Sequence, residues 1–310
     1  MKIKNNCGFK VFKNKFYTLA VMKLLITGAY GQLGNEIKVL SENHAEWEFI
    51  FTDADSLDVT DRNAVTDFFS KISPDFVINC AAYTAVDKAE TDIETANRVN
   101  AIAPGILANA AKRNGKKMIH ISTDYVFGGK AFRPLRETDE VNPTGVYAKS
   151  KLAGEQNCMK ENPDSVIIRT SWLYSTFGNN FVKTMLRLGR EHSSLNVVFD
   201  QTGTPTYAVD LAETILNIIT ISKKEHAKFV PGIYHYSNEG VASWYDFSKA
   251  IFEISGINCK VFPVLSEVFP TLAKRPEYSV LDKSKIKNTF GIDIPFWRDS
   301  LKVCIDKMKK

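Results

Sequence analysis

Cysteine is scarce in this chain, and no two cysteines are spaced as CxxC. The five present, Cys7, Cys80, Cys158, Cys259 and Cys304, are odd in number and scattered. That argues against a disulfide framework or a zinc site and fits a reducing, cytoplasmic setting. The five histidines are also dispersed, with no HExxH and no paired-carboxylate motif, so no metal ligand is assigned. No apolar run approaches the roughly 18 residues of a membrane helix, and no membrane partner is expected. Charge of neither sign is concentrated. The 40 basic and 35 acidic side chains leave a net charge of +5, without the arginine stripe of a nucleic-acid binder. Internal repeats, linkers and low-complexity segments are missing too. What remains is an ordinary globular composition, 44% hydrophobic and 24% charged over 310 residues, enough for a large core.

Residues 1–21 differ from the rest, being rich in Lys, Asn and Phe without periodicity, apolar stretch or cleavage site. They read as a loose extension or a mis-assigned start, with translation beginning at Met22. From there short apolar runs alternate with helical spacing. Strands are predicted at Lys23–Thr27, Glu48–Thr52, Asp75–Asn79, Lys117–Ser122 and Ser165–Thr170. Helices are predicted from Gln32 to Leu40, Asp61 to Phe69 (capped by Thr60 or Asp61), Ile93 to Arg113 with a break near Pro104, and Tyr147 to Lys160. Such alternation implies an α/β fold, a Rossmann-type doubly wound parallel sheet. After Ser171 the pattern loosens into a smaller C-terminal lobe on the sheet. There, helices are predicted at Asn179–Glu191, Val209–Ile221 and Ser243–Ser255, strands at Leu195–Val198 and Tyr234–Tyr236, and then a proline-spotted tail.

Gly28-Ala29-Tyr30-Gly31-Gln32-Leu33-Gly34 follows the first strand and opens the first helix. Glycines there permit a tight turn and close approach to a pyrophosphate, and a helix N-terminus offers free N–H groups to it. Asp53, at the end of the second strand, is placed to bond the adenosine ribose, which favours NAD over NADP. Asp55 and Asp58 compete for that role and Arg62 is near, so NADH and NADPH both remain open. The third strand runs into Ala81-Ala82-Tyr83, where small residues leave room for a cofactor.

Tyr147-Ala148-Lys149-Ser150-Lys151 is a YxxxK that puts phenol and ammonium on one helix face. A free tyrosine has a pKa of about 10, and a nearby ammonium would lower it. The tyrosine then serves as general acid toward a carbonyl reduced by hydride. Alone, YxxxK is a common surface pair. Its place after a strand ending in Ser122-Thr123, downstream of the glycine loop, changes that reading. The Thr123 hydroxyl is suited to hold the substrate oxygen against Tyr147.

These motifs, in this order, resemble the extended short-chain dehydrogenase/reductases. Narrower strings resemble the dTDP-4-dehydrorhamnose reductase family along nearly the whole chain from Met22. They are Asn79 to Glu90, Ser122 to Phe127, Tyr147 to Glu155, Arg169 to Tyr174, Gly178 to Phe181, Asp200-Gln201-x-Gly203-x-Pro205-Thr206 and Arg275-Pro276. The resemblance implies reduction of the C4 keto group of a dTDP-4-keto sugar by NADPH or NADH, the last step of dTDP-L-rhamnose synthesis. It implies an NAD(P)-binding domain over residues 22–171 and a sugar-nucleotide-binding lobe over 172–310, interleaved. Thr123, Tyr147 and Lys151 match the catalytic set, and Asp58-Val59 resembles the adenine-contacting pair. Val86, Asp124, Tyr125 and Trp172 match positions lining the sugar pocket. Asn180, Gln201 and Arg275 fall in substrate-lobe motifs, and a guanidinium at Arg275 suits a diphosphate. Members of the family can form magnesium-linked homodimers, but no carboxylate cluster here requires one, so metal and dimer stay undecided. Asp124 is followed by Tyr125 rather than a second carboxylate, which argues against a dehydratase. The complete set Thr123, Tyr147 and Lys151 argues against a non-catalytic regulator of methionine adenosyltransferase. An epimerase is not excluded.

Overall fold

A computed structural model describes residues 21–225 and 229–309. Residues 1–20, and with them the expectation of an extension, lie outside the described residues. The first half runs β1 (Met22–Thr27), α1 (Gln32–Ser41), β2 (Trp47–Thr52), α2 (Arg62–Ile72), β3 (Phe76–Asn79), α3 (Val86–Ala89), α4 (Ile93–Asn97), α5 (Ala103–Arg113), β4 (Lys117–Thr123), α6 (Gly145–Glu161) and β5 (Val166–Thr170). The second runs β6 (Leu173–Tyr174), α7 (Phe181–Glu191), β7 (Ser194–Val198), β8 (Thr202–Gly203), β9 (Thr206–Tyr207), α8 (Ala208–Lys224), β10 (Gly232–His235), β11 (Ala242–Ser243), α9 (Trp244–Ser255), β12 (Lys260–Val264), α10 (Ser284–Phe290) and α11 (Trp297–Met308). Among the described residues no helix is long and apolar enough to cross a membrane.

The central sheet has the order β10-β5-β4-β3-β1-β2, and every pairing in it is parallel. The chain steps from β1 to β2 on one side, then returns to lay β3 on the other. That reversal opens a crevice at the carboxyl ends of β1 and β3, where doubly wound folds bind ligands. Because a parallel sheet is covered on both faces, its strands are apolar throughout. Leu24, Ile26, Ile78, Ile119 and Ile168 pack with α1 and α8 on one face. Leu25, Val77, Met118 and Ile167 pack with Val65 and Phe69 of α2 and Ile106 and Leu107 of α5 on the other. A separate core of Val182, Leu186, Phe247, Ile251, Trp297 and Leu301 joins α7, α9 and α11 into the lobe.

The helix starts follow capping chemistry. The Asp61 carboxylate, and not Thr60, accepts the Asn63 and Ala64 N–H groups at 2.8 and 3.2 Å, starting α2. Ser243 and Asp246 form a reciprocal capping box on α9. The expected irregularity near Pro104 is present: the helical run from Ile93 to Arg113 is continuous, and a π-turn at Arg98–Ile102 directly precedes Pro104, whose missing N–H removes a donor from the preceding turn. Two elements depart from expectation. Residues 208–235 return to the main sheet, β10 completing its edge and α8 covering one face, and the proline-spotted tail holds β12, α10 and α11.

Candidate active site

The glycine turn occupies the crevice. Gly28 has φ +67°, and a Cβ there would stand 2.6 Å from the Ala81 nitrogen, so β1 and β3 approach only because this residue is glycine. At Gly34 a Cβ would meet the Gly28 carbonyl at 2.5 Å. Gly31 is the N-cap of α1 and provides no side-chain cap. The free first-turn N–H groups and the positive end of the helix dipole therefore suit a phosphate. Gly31, Gln32, Leu33 and Gly34 line a cleft of about 580 Å3. A neighbouring recess of about 320 Å3 shares Gly28, Gly31, Cys80 and Ala82 with it, and adds Asp53, Asp58, Val59, Ala81 and Tyr83.

In that recess the Asp53 carboxylate accepts the Tyr30 and Ala54 N–H groups, at 3.1 and 2.8 Å. Asp58 accepts both the N–H (2.8 Å) and the hydroxyl (2.7 Å) of Thr60, which hold it below the usual carboxylate range. Arg98 donates to the same Thr60 hydroxyl at 2.8 Å. The loop after β3 is fixed by Asn100 of the π-turn. Its amide accepts the Tyr83 N–H (2.8 Å) and donates to the Tyr83 carbonyl (3.0 Å) and the Ser150 hydroxyl (3.2 Å). A π-turn aims one side chain off the helical register, and here that side chain joins the loop after β3 to α6.

The larger cleft brings together Thr123, Asp124, Tyr125, Tyr147, Lys151, Val86 and Trp172. Thr123 ends β4. Its hydroxyl donates to Asp124 Oδ1 at 3.0 Å and accepts the Tyr125 N–H at 3.2 Å. Burial pushes the Tyr147 phenol up to about 12, against an opposing hydrogen bond with Thr123. The sequence-based expectation was the reverse, a phenol lowered by its lysine; loss of solvation outweighs the neighbours. Burial also brings Lys151 down to about 8, while the Glu155 carboxylate supports its charge. The Lys151 ammonium donates to the Ile121 carbonyl at 2.7 Å. One turn further along α6, Glu155 accepts the Ser122 hydroxyl (2.5 Å) and the Nε and Nη2 of Arg169 (2.9 and 2.7 Å). Glu155 and Arg169 are each only 2% exposed. Burial raises Asp124 to about 6, against hydrogen bonds from Ser279 and Thr123, and among the described residues its Oδ2 has no partner within hydrogen-bond distance.

Four predicted residues stand outside both recesses. Tyr30 is 71% exposed. Asn180 caps α7 through the Lys183 N–H and braces Gln32 at 3.0 Å, while its neighbour Asn179 lines the cleft. Arg275 donates from Nη2 to Asp87 at 2.6 Å, while its buried Nη1 has no partner among the described residues. Gln201 bonds Trp244 and Ser266. The sequence reading missed Trp244, which lines the cleft, along with Asn100 and Glu155. Glu155 carried a signal: an acid i+4 from the YxxxK lysine on a helix packed on the sheet. Among the described residues no group of three or more His, Cys, Asp or Glu side chains is placed to hold a metal.

Known proteins align with this chain over almost its whole length. The RmlD substrate binding domain family matches residues 22–310. A dTDP-4-dehydrorhamnose reductase of Aggregatibacter actinomycetemcomitans is 42% identical over 288 residues, 90% of this chain and 97% of that protein. The crystal structure of a dTDP-4-dehydrorhamnose reductase from Clostridium acetobutylicum is 47% identical, superposes with a TM-score of 0.88, and is matched over 93% of this chain and 100% of that one. A Bacillus anthracis dTDP-4-dehydrorhamnose reductase, crystallised with NADP, is 38% identical with a TM-score of 0.85, over 92% and 99% of the two chains. With the Rossmann sheet, the glycine turn and the Thr–Tyr–Lys cleft already in place, these likenesses establish that the chain belongs to the dTDP-4-dehydrorhamnose reductase family.

Proposed function

We propose that this protein reduces the C4 keto group of dTDP-4-dehydro-β-L-rhamnose to give dTDP-L-rhamnose, using NADPH or NADH. The observation that carries the reading is the meeting of Thr123, Tyr147 and Lys151 in one cleft that runs on into the glycine turn. The turn fits a dinucleotide: Gly28 and Gly34 let the turn pack tightly against β3 and itself, and the uncapped α1 N-terminus opens on the cleft. When bound, the reduced nicotinamide supplies the hydride. Gly28 to Gly34 hold the pyrophosphate, and Asp53, Asp58 and Val59 receive the adenosine end. Thr123 fixes the substrate oxygen, and Tyr147 gives its phenolic proton to that oxygen as negative charge develops there. A phenol held near 12 is fully protonated at neutral pH, the form a reduction needs. The Lys151 ammonium stabilises the phenolate left behind. Val86, Asp124, Tyr125 and Trp172 enclose the sugar, and the unpartnered Asp124 Oδ2 is an acceptor for a sugar hydroxyl.

The test is turnover of the dTDP-4-keto sugar, generated in situ and followed by nicotinamide absorbance. Tyr147→Phe should lower kcat by roughly 10²–10⁴, the scale of general acid catalysis, with cofactor affinity little changed. A Tyr147→Phe variant that turns over normally would show that another group is the acid.

A further inference from the structure

The cleft has an aromatic wall built from two stacked indoles. Trp172 holds a left-handed backbone, φ +47°, a conformation that costs a bulky residue on the order of 1 kcal/mol or more. The indole lies against Gly203, where a Cβ would come within 2.7 Å of it. It stacks on Trp244 with centroids 3.6 Å apart and planes 9° from parallel. Both rings line the cleft. Trp244 is the first residue of α9, next to the Ser243 cap, and Phe181 tilts against it at 4.5 Å.

The Trp244 indole N–H donates to Gln201 Oε1 at 3.1 Å. Gln201 Nε2 donates to the Ser266 hydroxyl at 2.8 Å. Ser266 in turn donates its hydroxyl (2.7 Å) and its N–H (3.0 and 2.9 Å) to Asp200, the residue before Gln201. Both ends of the Gln201 amide are therefore spoken for, and Gln201 lies outside the cleft lining.

We propose that Gln201 is a positioning residue: it fixes the stacked Trp172–Trp244 pair as the wall against which the sugar of the nucleotide substrate packs, and does not itself touch that substrate. This rests on the sugar-nucleotide reading above. Without the amide, the Trp244 ring loses its only hydrogen bond and can rotate off Trp172. The wall then loosens while Thr123, Tyr147 and Lys151, which sit on β4 and α6, stay in place. The loss falls on substrate binding and not on the proton transfer.

The experiment compares Gln201→Met, Trp244→Phe and the double variant. Gln201→Met should raise KM for the sugar nucleotide about tenfold, the scale of one lost hydrogen bond, with kcat within about twofold and NADPH affinity unchanged. In the Trp244→Phe background the same change should add less than about twofold. Two indoles stacked this closely also give an exciton couplet in circular dichroism. The couplet should weaken in Gln201→Met and vanish in Trp244→Phe, in protein without substrate. Should Gln201→Met fold poorly, Ser266→Ala loosens the same amide from its far end and gives the same two changes at smaller amplitude. An equal KM loss with or without Trp244 would mean that Gln201 contacts the substrate directly and overturn the proposal. So would a Gln201→Met protein with wild-type KM and couplet. The dichroism is read without turnover, so a wild-type protein inactive on the dTDP-4-keto sugar would defeat the substrate reading and leave the Gln201–Trp244 coupling to be judged by its couplet.

Discussion

On the proposed mechanism, the Lys151 ammonium should limit activity at alkaline pH. Lys151 is buried, donates to one carbonyl and faces Glu155 on its own helix, Cys80 after β3 and the buried, uncharged His120 of β4. Its pKa of about 8 lies far below that of the Tyr147 phenol at about 12. From pH 7 to pH 10 the phenol stays protonated. The ammonium fraction falls from about nine-tenths at pH 7 to about one-tenth at pH 9, then tenfold per further unit. The kcat/KM of keto reduction should therefore show one alkaline limb with its midpoint near 8, well before the tyrosine titrates. Initial rates by nicotinamide absorbance from pH 6 to pH 10.5, at constant ionic strength, give the profile. Lys151→Arg supplies a cation that does not titrate in this range; its activity should be lower at pH 7 and level from there to pH 10. A wild-type profile flat to pH 10, or a limb near 8 persisting in Lys151→Arg, would refute the assignment of the limb to this lysine.

Two further outcomes follow from the same helix. Glu155→Gln leaves the Arg169 guanidinium buried without its counter-charge and should cost about 3–5 kcal/mol of stability in urea unfolding. Replacing both residues by Leu and Met should restore most of it, and a single-variant loss below about 1 kcal/mol would mean that the pair is not a stabilising unit. Gly154→Ala would drive a Cβ into the Asn100 carbonyl oxygen. It should cost about 1–3 kcal/mol by overpacking and, by moving Asn100 off Tyr83, weaken NADPH binding; an unshifted melt with normal NADPH affinity would contradict this.

The parts of the fold legible in the sequence are those governed by local chemistry. The apolar runs of β1, β3, β4 and β5 carry the parallel sheet, and Asp61 shows its cap. Pro104 marked where the long helix is irregular, but not that the irregularity takes the form of a π-turn just before it, nor that Asn100 in that turn is held by the loop after β3. The return of residues 208–235 to the sheet was not legible. Helical spacing in α8 reports that one face is buried, not against which body. At the site, YxxxK and Thr123 were readable because one helix face and one strand end determine their geometry. The displaced pKa of Tyr147 was not, since it depends on how deeply the third dimension buries the phenol. Gln201 and Arg275 were visible as chemistry without addresses; their partners Trp244 and Asp87 lie far away along the chain.

The interleaving of the two bodies has a consequence for how the chain is made. β10 is the sixth strand of the sheet and α8 covers half of one of its faces, yet the chain reaches them only after passing through α7 and β7. During synthesis the nucleotide-binding body waits for segments that emerge behind the first part of the lobe. Until then β5 is an open edge with bare hydrogen-bonding groups, a template for pairing with other chains. A fragment ending at Ser171 keeps the glycine turn, Tyr147 and Lys151, and still lacks what closes its sheet. The two bodies are therefore folding partners before they are partners in catalysis.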